Sequence, residues 1–228
     1  PASEIHVDIR SDAEKAKQPG HELVNQDHPQ VVEIWNLVFI QFNRLANGKL
    51  VELPAKHIDT GMGFERICAV IQGKDSNYDT DVFMPLISRI AELSDREYSK
   101  ELSDPDGTAM RVMADHIRTL SFAIADGALP SNEGRGYIVR RVLRRAVRYA
   151  KELELESPFL HNIVPQVVEV MGEHYTKLKT KEKQIKKIVK QEEIRFQETL
   201  AQGMDILTDI IAELEAEQVT EIPGEKVF

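Results

Sequence analysis

The sequence of 228 residues contains only one cysteine, Cys68, and one tryptophan, Trp35. A single cysteine excludes an internal disulfide, and neither paired cysteines nor a His-x-x-x-His spacing is present to hold structural zinc. We therefore predict no metal ligand in this chain and a buried thiol at Cys68. Apolar runs stay well below the roughly 20 residues of a membrane span, and no signal peptide is visible. These absences favour a cytoplasmic globular protein with no membrane partner.

Charge is distributed unevenly along the chain, which has a formal net charge of −9. Seven basic residues and no acid occur between Arg135 and Lys151, and seven lysines accompany Glu182 alone between Lys177 and Lys190. A basic segment on an acidic protein is typical of a phosphate-binding surface, and a solvated helix face is the alternative. We favour RNA for the arginine segment, since its cations have no anion nearby in sequence and repel one another. For the lysine segment both interpretations stay open.

The segment 58–66 (IDTGMGFER) places a carboxylate, two glycines and an arginine between a short apolar run and a helix. Gly61 and Gly63 allow the backbone to approach a ligand closely. Asp59 can pair with an ammonium group, and Arg66 can bind phosphate through its planar fork. A site for an amine and a phosphate indicates amino-acid activation by a nucleotide. The missing third glycine excludes a dinucleotide-binding turn, and an ordinary strand-to-helix turn is the alternative on spacing alone.

The segment 33–43 (EIWNLVFIQFN) is rich in β-branched and aromatic residues, which predicts a strand buried on both faces. Asn36 and Val38 are two residues apart and therefore share one face. A carboxamide beside a small apolar group can line a pocket for a small polar ligand. A core strand with a hydrogen-bonded asparagine is the alternative.

The order of secondary-structure patterns predicts an α+β fold. Strands are expected at residues 5–9, 32–42 and 50–53, followed by a helix from about Gly63 to Gln72. From residue 79 the spacing of apolar residues is helical, with a polar loop at 94–107. A long apolar stripe from Ile185 to Leu214 predicts one extended helix. A free coiled coil is the rival interpretation, but Gly203 and the scarcity of strict heptads favour packing on its own domain.

Four motifs, taken in order, resemble the class II alanyl-tRNA synthetases. They are residues 33–39 with 41–44, residues 59–66, residues 111–118 and residues 126–137. The resemblance covers essentially the whole chain and implies an internal fragment of such an enzyme. Residues 1–78 resemble the later part of the catalytic domain, a partial antiparallel sheet with helices that includes motif 3. Residues 79–228 resemble most of the all-α tRNA-recognition domain. Motifs 1 and 2 and the zinc-binding editing domain are expected outside this chain.

The resemblance also implies a reaction and a site. Alanine and ATP, with Mg²⁺, give alanyl-adenylate, and the alanyl group then moves to the 3′ end of tRNA(Ala). By resemblance, the substrate ammonium binds Asp59, its carboxylate binds Asn36, and its side chain is bounded by Val38 and Gly61. Arg66 resembles the catalytic motif 3 arginine, with Glu33 and Gly63 beside it at ATP. Glu33 is a possible acid on the magnesium side of ATP but could equally cap its strand, and Glu4 and His6 are weaker candidates at the same site.

For RNA, the resemblance implies recognition of a G·U wobble pair in the acceptor stem by Asn132. A wide RNA minor groove exposes base edges that a short carboxamide can reach. We expect Ser131 to cap the helix that follows. Phosphate contacts are expected from Arg135, Arg140, Arg141, Arg144 and Arg145. A helical RNA-binding module, catalytically inactive by itself because motifs 1 and 2 are missing, is the alternative function.

Overall fold

A computed structural model of the chain describes residues 1–156, 158–216, 219 and 221–224. The chain divides into two compact units, Pro1–Met84 and Pro85–Phe228. The first is built around an antiparallel sheet and the second around helices, which confirms the α+β prediction.

The first unit contains a three-stranded antiparallel sheet with its second strand in the centre. Its strands are β1 (Ala2–Asp8), β2 (Val31–Arg44) and β3 (Leu50–Met62). Its helices are α1 (Asp12–Lys17), α2 (Phe64–Ile71) and two short 3-10 turns (Gly20–Leu23 and Asn77–Asp79). The strand β3 is longer than the predicted 50–53 and extends through the segment that carries Asp59 and Gly61.

A β-bulge in β2 decides which side chains share a face of the sheet. Glu4 pairs with Asn36, whereas His6, two residues on, pairs with Glu33. The extra residue in β2 is Ile34, whose side chain is buried. Because side chains alternate along a strand, one inserted residue moves Glu33 onto the face that carries Asn36.

Two burial predictions for this unit are wrong. The second half of β2 is exposed rather than buried on both faces, with Phe39 at 38% and Phe42 at 45% of full exposure. Within the described residues, β2 has β1 and β3 as sheet neighbours and packs against the short helix α2, and its second half stays largely uncovered. Cys68 on α2 is half-buried, and this partial burial raises the pKa of its thiol.

An ion pair anchors the end of β1. The Arg10 guanidinium donates to both carboxylate oxygens of Asp8, at 2.9 and 2.6 Å, and to the carbonyl oxygen of Gln18 at 2.9 Å. These hydrogen bonds lower the pKa of Asp8 to about 2. The chain passes so close here that a Cβ on Gly20 would lie 2.4 Å from Asp8 Oδ2. The pair therefore holds the start of the β1–β2 connection against the sheet.

The second unit is a helical bundle. Its helices are α3 (Met84–Ser94, starting at the last residue of the first unit), α4 (Pro105–Ala125), α5 (Gly134–Glu152), α6 (Val164–Met171) and α7 (Thr176–Ala216), with a 3-10 turn at Leu160–Asn162. The predicted apolar face of α4 forms its centre, with no side chain more than 1% exposed: Met110, Met113, Ile117, Leu120 and Ile124. Around it pack α5, α6 and α7.

The helix α7 behaves differently along its length. Ile185 and Val189 are fully buried and Phe196 is 8% exposed, whereas Met204 and Ile211 are 55% and 41% exposed. Packing on its own domain, as predicted for the whole stripe, holds for the first half of α7 and is wrong for most of the second. Within the described residues, every helix is too short or too polar to span a membrane.

Candidate functional site

The four residues predicted to bind alanine lie together on one face of the sheet. Asn36 is directly opposite Gly61, and Val38 is directly opposite Asp59. Since each strand contributes residues two apart, both cross-strand pairs are neighbours on the same face. An ideal Cβ on Gly61 would meet no atom within 4 Å, so the space above this position is open. Strand pairing thus assembles the predicted set beside an open space.

Glu4 on β1 fixes the carboxamide of Asn36. Its Oε1 accepts a hydrogen bond from Asn36 Nδ2 at 3.2 Å. Its Oε2 accepts one from Asn25 Nδ2 at 3.2 Å and lies 3.1 Å from His6 Nε2. Hydrogen bonds with His6, which has the largest effect, and with Asn25 hold the pKa of Glu4 below its usual value. Glu4 is therefore an anion that orients the neighbouring amide.

Glu4, His6 and Glu33 also form a cluster whose potential ligand atoms all lie within 4.8 Å of one another. The bulge at Ile34 makes this possible, because it turns Glu33 toward the other two. Carboxylate oxygens and an imidazole nitrogen are ligands for divalent cations. Spacing along the sequence, which predicts no metal ligand, does not reveal this cluster because the cluster forms through pairing between two strands.

A cavity of about 510 Å³ adjoins this cluster and includes His6, Glu33 and Arg66 in its lining. Arg66 is held at its edge because its Nη1 donates to the carbonyl oxygen of Glu33 at 2.7 Å. Gly63 begins α2 as its N-cap, and a Cβ there would lie 3.1 Å from Arg66 Cδ. Glycine at this position therefore leaves room for the arginine to turn back toward β2.

Sequence reasoning missed the turn that closes the same cavity. Asn25 and Asp27 line it, and both have left-handed backbone, with φ of 59° and 54°. Such conformations are uncommon outside glycine, are best tolerated by asparagine and aspartate, and concentrate at functional sites. The clustering of these residue types in residues 25–28 was the available signal.

On the second unit, Asn132 is exposed in a loop folded tightly against the start of α5. The Ser131 amide donates to the carbonyl oxygen of Gly136 at 3.1 Å, and a Cβ on Gly136 would lie 2.4 Å from the carbonyl oxygen of Leu129. The predicted cap at Ser131 is wrong. Glu133 is the N-cap residue and makes no side-chain cap, while the Ser131 hydroxyl donates to the Glu133 carbonyl at 2.9 Å. The loop can turn back because Gly136 has no side chain. The Ser131 hydroxyl is then occupied by a hydrogen bond within the loop and does not cap the helix.

The arginines of α5 divide into two sets. Arg140 and Arg144 face α7, where the Glu192 side chain is only 4% exposed. Arg140 Nε lies 2.9 Å and Arg144 Nη2 lies 3.5 Å from Glu192 Oε1. The Arg144 guanidinium also stands 4.9 Å from the centre of the Phe196 ring. The sequence interpretation that these cations lack a compensating anion is therefore wrong for this pair, because the anion comes from another helix.

The second set of arginines faces solvent. Arg141, Arg145 and Arg148 are exposed and follow one helical face at spacings of four and three residues, and Arg135 is exposed near the start of the helix. Arg148 was counted in the basic segment but not among the predicted contacts. The exposed set forms a cationic stripe on α5.

Comparison with known proteins gives consistent results. The chain is 53% identical to the alanine–tRNA ligase of Christiangramia forsetii over 229 residues, which cover 100% of the chain and 26% of that protein. It is 51% identical to the alanine–tRNA ligase of Chlorobium phaeovibrioides over 228 residues, with 100% and 25% covered. The chain therefore spans about a quarter of the length of these relatives. The family model described as tRNA synthetases class II (A) matches residues 1–228, and the chain belongs to that family.

Proposed function

We propose that this chain is the part of an alanine–tRNA ligase that binds alanine and ATP on its sheet and the acceptor stem of tRNA(Ala) on its helices. In the first step the carboxylate of alanine attacks the α-phosphate of ATP and releases pyrophosphate. In the second, a ribose hydroxyl at the 3′ end of the tRNA takes the alanyl group and releases AMP. Residues 1–78 would belong to the catalytic domain and residues 79–228 to the tRNA-recognition domain.

The observation that supports this function best is the pairing of Asn36 with Gly61 and of Val38 with Asp59 on one open face. A carboxylate is the ordinary partner of an ammonium group in a charge-assisted hydrogen bond, which assigns Asp59 to the alanine amine. Asn36 Nδ2 has two hydrogens. Glu4 accepts one, and the other is available to the alanine carboxylate. Val38 and Gly61 leave room for a small side chain.

We assign ATP and Mg²⁺ to the neighbouring cavity. Arg66 supplies a cation for phosphate at the cavity edge, and Gly63 allows the backbone to approach. Glu4 and Glu33 offer the oxygen ligands that Mg²⁺ prefers, with His6 beside them. When bound there, Mg²⁺ would neutralise phosphate charge as pyrophosphate leaves. Arg66 would stabilise the same charge with its guanidinium.

On the helical unit, we assign phosphate binding to the exposed stripe that includes Arg135, Arg141 and Arg145. Arg140 and Arg144, also predicted to contact phosphate, already share a carboxylate with α7 and are assigned to positioning instead. Asn132 is assigned to reading the G·U pair, since its carboxamide is exposed on a loop of defined shape.

The test uses a full-length ligase that contains this chain. Asn36→Asp places an anion where the alanine carboxylate binds, and we expect the KM for alanine in pyrophosphate–ATP exchange to rise at least tenfold. Asn43→Asp, an exposed asparagine later on the same strand, is the matched control and should leave the KM unchanged. Equal KM values for the two variants would remove Asn36 from the site. If the protein bound tRNA but gave no alanine-dependent exchange at all, a purely RNA-binding role would replace the proposal.

A further inference from the structure

We propose that Glu192 is a positioning residue for tRNA discrimination, acting through Arg140 on the carboxamide of Asn132. The inference rests on the proposed function, in which Asn132 reads a base pair. It adds a residue of α7 that is buried and distant in sequence from the reading loop.

The Arg140 guanidinium joins two partners through different nitrogens. Its Nη2 donates to Glu192 Oε2 at 3.4 Å, its Nε lies 2.9 Å from Glu192 Oε1, and its Nη1 donates to Asn132 Oδ1. The planar fork of arginine holds both partners in one fixed geometry, which a lysine ammonium does not do. Asn132, although exposed, is thereby connected to the buried side of the helical unit.

Glu192 is itself held firmly. A buried carboxylate without partners is costly, and here it is compensated by both Arg140 and Arg144. Arg144 is in turn stacked on the Phe196 ring at 4.9 Å. Because these partners come from α5 and α7, whose apolar faces pack together, the anion has a defined position.

The consequence for Asn132 is a carboxamide with one preferred orientation. A flip would exchange Oδ1 for Nδ2 and bring two donors, Nδ2 and Arg140 Nη1, face to face. Locked, Asn132 presents its Nδ2 donor in one direction and keeps one lone pair of Oδ1 for an incoming donor such as a guanine amino group. Released, the amide could rotate and accept either pattern of base edge. The hydrogen bond from Arg140, which we call the lock, therefore makes Asn132 selective, whereas exposure alone makes Asn132 accessible.

The experiment compares three variants in a full-length ligase that contains this chain: Arg140→Lys, Glu192→Gln and, as matched control, Arg144→Lys. Arg144 shares Glu192 but the structure gives it no contact with Asn132, so its variant perturbs the same buried anion without breaking the lock. Charging of tRNA(Ala) with the G·U pair and with G·C in its place gives a ratio of kcat/KM values. We expect this ratio to fall roughly five- to tenfold for Arg140→Lys and Glu192→Gln, within the usual worth of a base-edge contact. Arg144→Lys should change it by less than about twofold, and alanine-dependent exchange without tRNA should be unchanged in all three.

Combination with Asn132→Ala separates the possible failures. If Glu192 acts through Asn132, adding Glu192→Gln to Asn132→Ala lowers the ratio no further. An additive loss in the double variant would overturn the positioning role alone. So would an unchanged ratio in Arg140→Lys and Glu192→Gln if Asn132→Ala lowers it. An unchanged ratio in Asn132→Ala would overturn the reading role and the lock with it. If Glu192→Gln proves too unstable by thermal unfolding, Arg140→Lys carries the test because it keeps a cation beside Glu192.

Discussion

The sheet and the helical unit position their candidate functional residues in different ways. On the sheet, Asn36, Val38, Asp59 and Gly61 are placed by strand register, and the space above Gly61 is open. On the helices, Asn132 depends on Arg140, which depends on a glutamate from a helix far along the chain. Substitutions on the sheet face should therefore change chemistry with little effect on stability, whereas substitutions around Glu192 should change both.

Two glycines show the same contrast at the level of single atoms. A Cβ on Gly61 meets nothing within 4 Å, so the fold does not require glycine there. A Cβ on Gly136 would lie 2.4 Å from the Leu129 carbonyl oxygen, so the loop does require it. The first glycine is consistent with the proposed room for a ligand, and the second is explained by the close approach of a loop to a helix.

The largest effect is expected for Asp59→Asn in a full-length ligase. Loss of the charge that pairs with the alanine ammonium should cost about 3 kcal/mol, or on the order of a hundredfold in kcat/KM for alanine. Steady-state exchange kinetics measure this. Glu52→Gln on the same strand is the control, and both variants should unfold at the wild-type temperature because both side chains are exposed. An unchanged kcat/KM for Asp59→Asn would remove that residue from the site.

The next effect concerns stability of the helical unit. Glu192→Leu leaves Arg140 and Arg144, 17% and 34% exposed, without their anion. We expect the free energy of unfolding to fall by about 2–3 kcal/mol, less than for a fully buried pair because both arginines can still reach water. Denaturant unfolding measures the change. Glu198→Leu, an exposed position on α7, is the control, and equal stability of the two variants would show that the ion pair contributes nothing.

An intermediate effect is expected for Gly61→Ala, which tests the comparison directly. The added methyl should shift the relative use of alanine and serine by about 1–3 kcal/mol in kcat/KM, the usual worth of a small group in a pocket. Thermal stability should stay near wild type, whereas Gly136→Ala should lower it because its Cβ has no room. Unaltered discrimination in Gly61→Ala would mean that Gly61 is not the floor of the alanine pocket.

The smallest effect is expected for Arg141→Ala on the exposed stripe. It should weaken G·U and G·C variants of the tRNA alike and reduce the slope of log K against log salt by roughly one counterion. Binding titrations at several salt concentrations measure the slope. Arg144→Ala should change the slope less, since Arg144 is already neutralised by Glu192. A larger slope change for Arg144 than for Arg141 would reverse the assignment of the two sets.

Much of the architecture was predictable from local patterns. The enrichment in β-branched and aromatic residues around Asn36 and Val38, and the helical spacing from Met110 to Ile124, depend on neighbouring residues alone. The four residues proposed to bind alanine come from the resemblance, and strand pairing brings them together. The sequence makes Glu4 only a weak candidate, because its hydrogen bonds reach residues on other segments of the chain.

The sequence alone determined the fold class, the family resemblance and the residue types available for chemistry, since these depend on order and periodicity along the chain. The tertiary structure alone decided which charges are paired and which are free. No pattern within α5 distinguishes Arg140 and Arg144 from Arg141 and Arg145 except the face on which each falls, and only the packing of α7 reveals that the first face meets Glu192. Likewise, one inserted residue, Ile34, brings Glu33 beside Glu4 and His6. Electrostatic energy depends on distances through space, and those distances are set by the packing of segments that are remote in sequence.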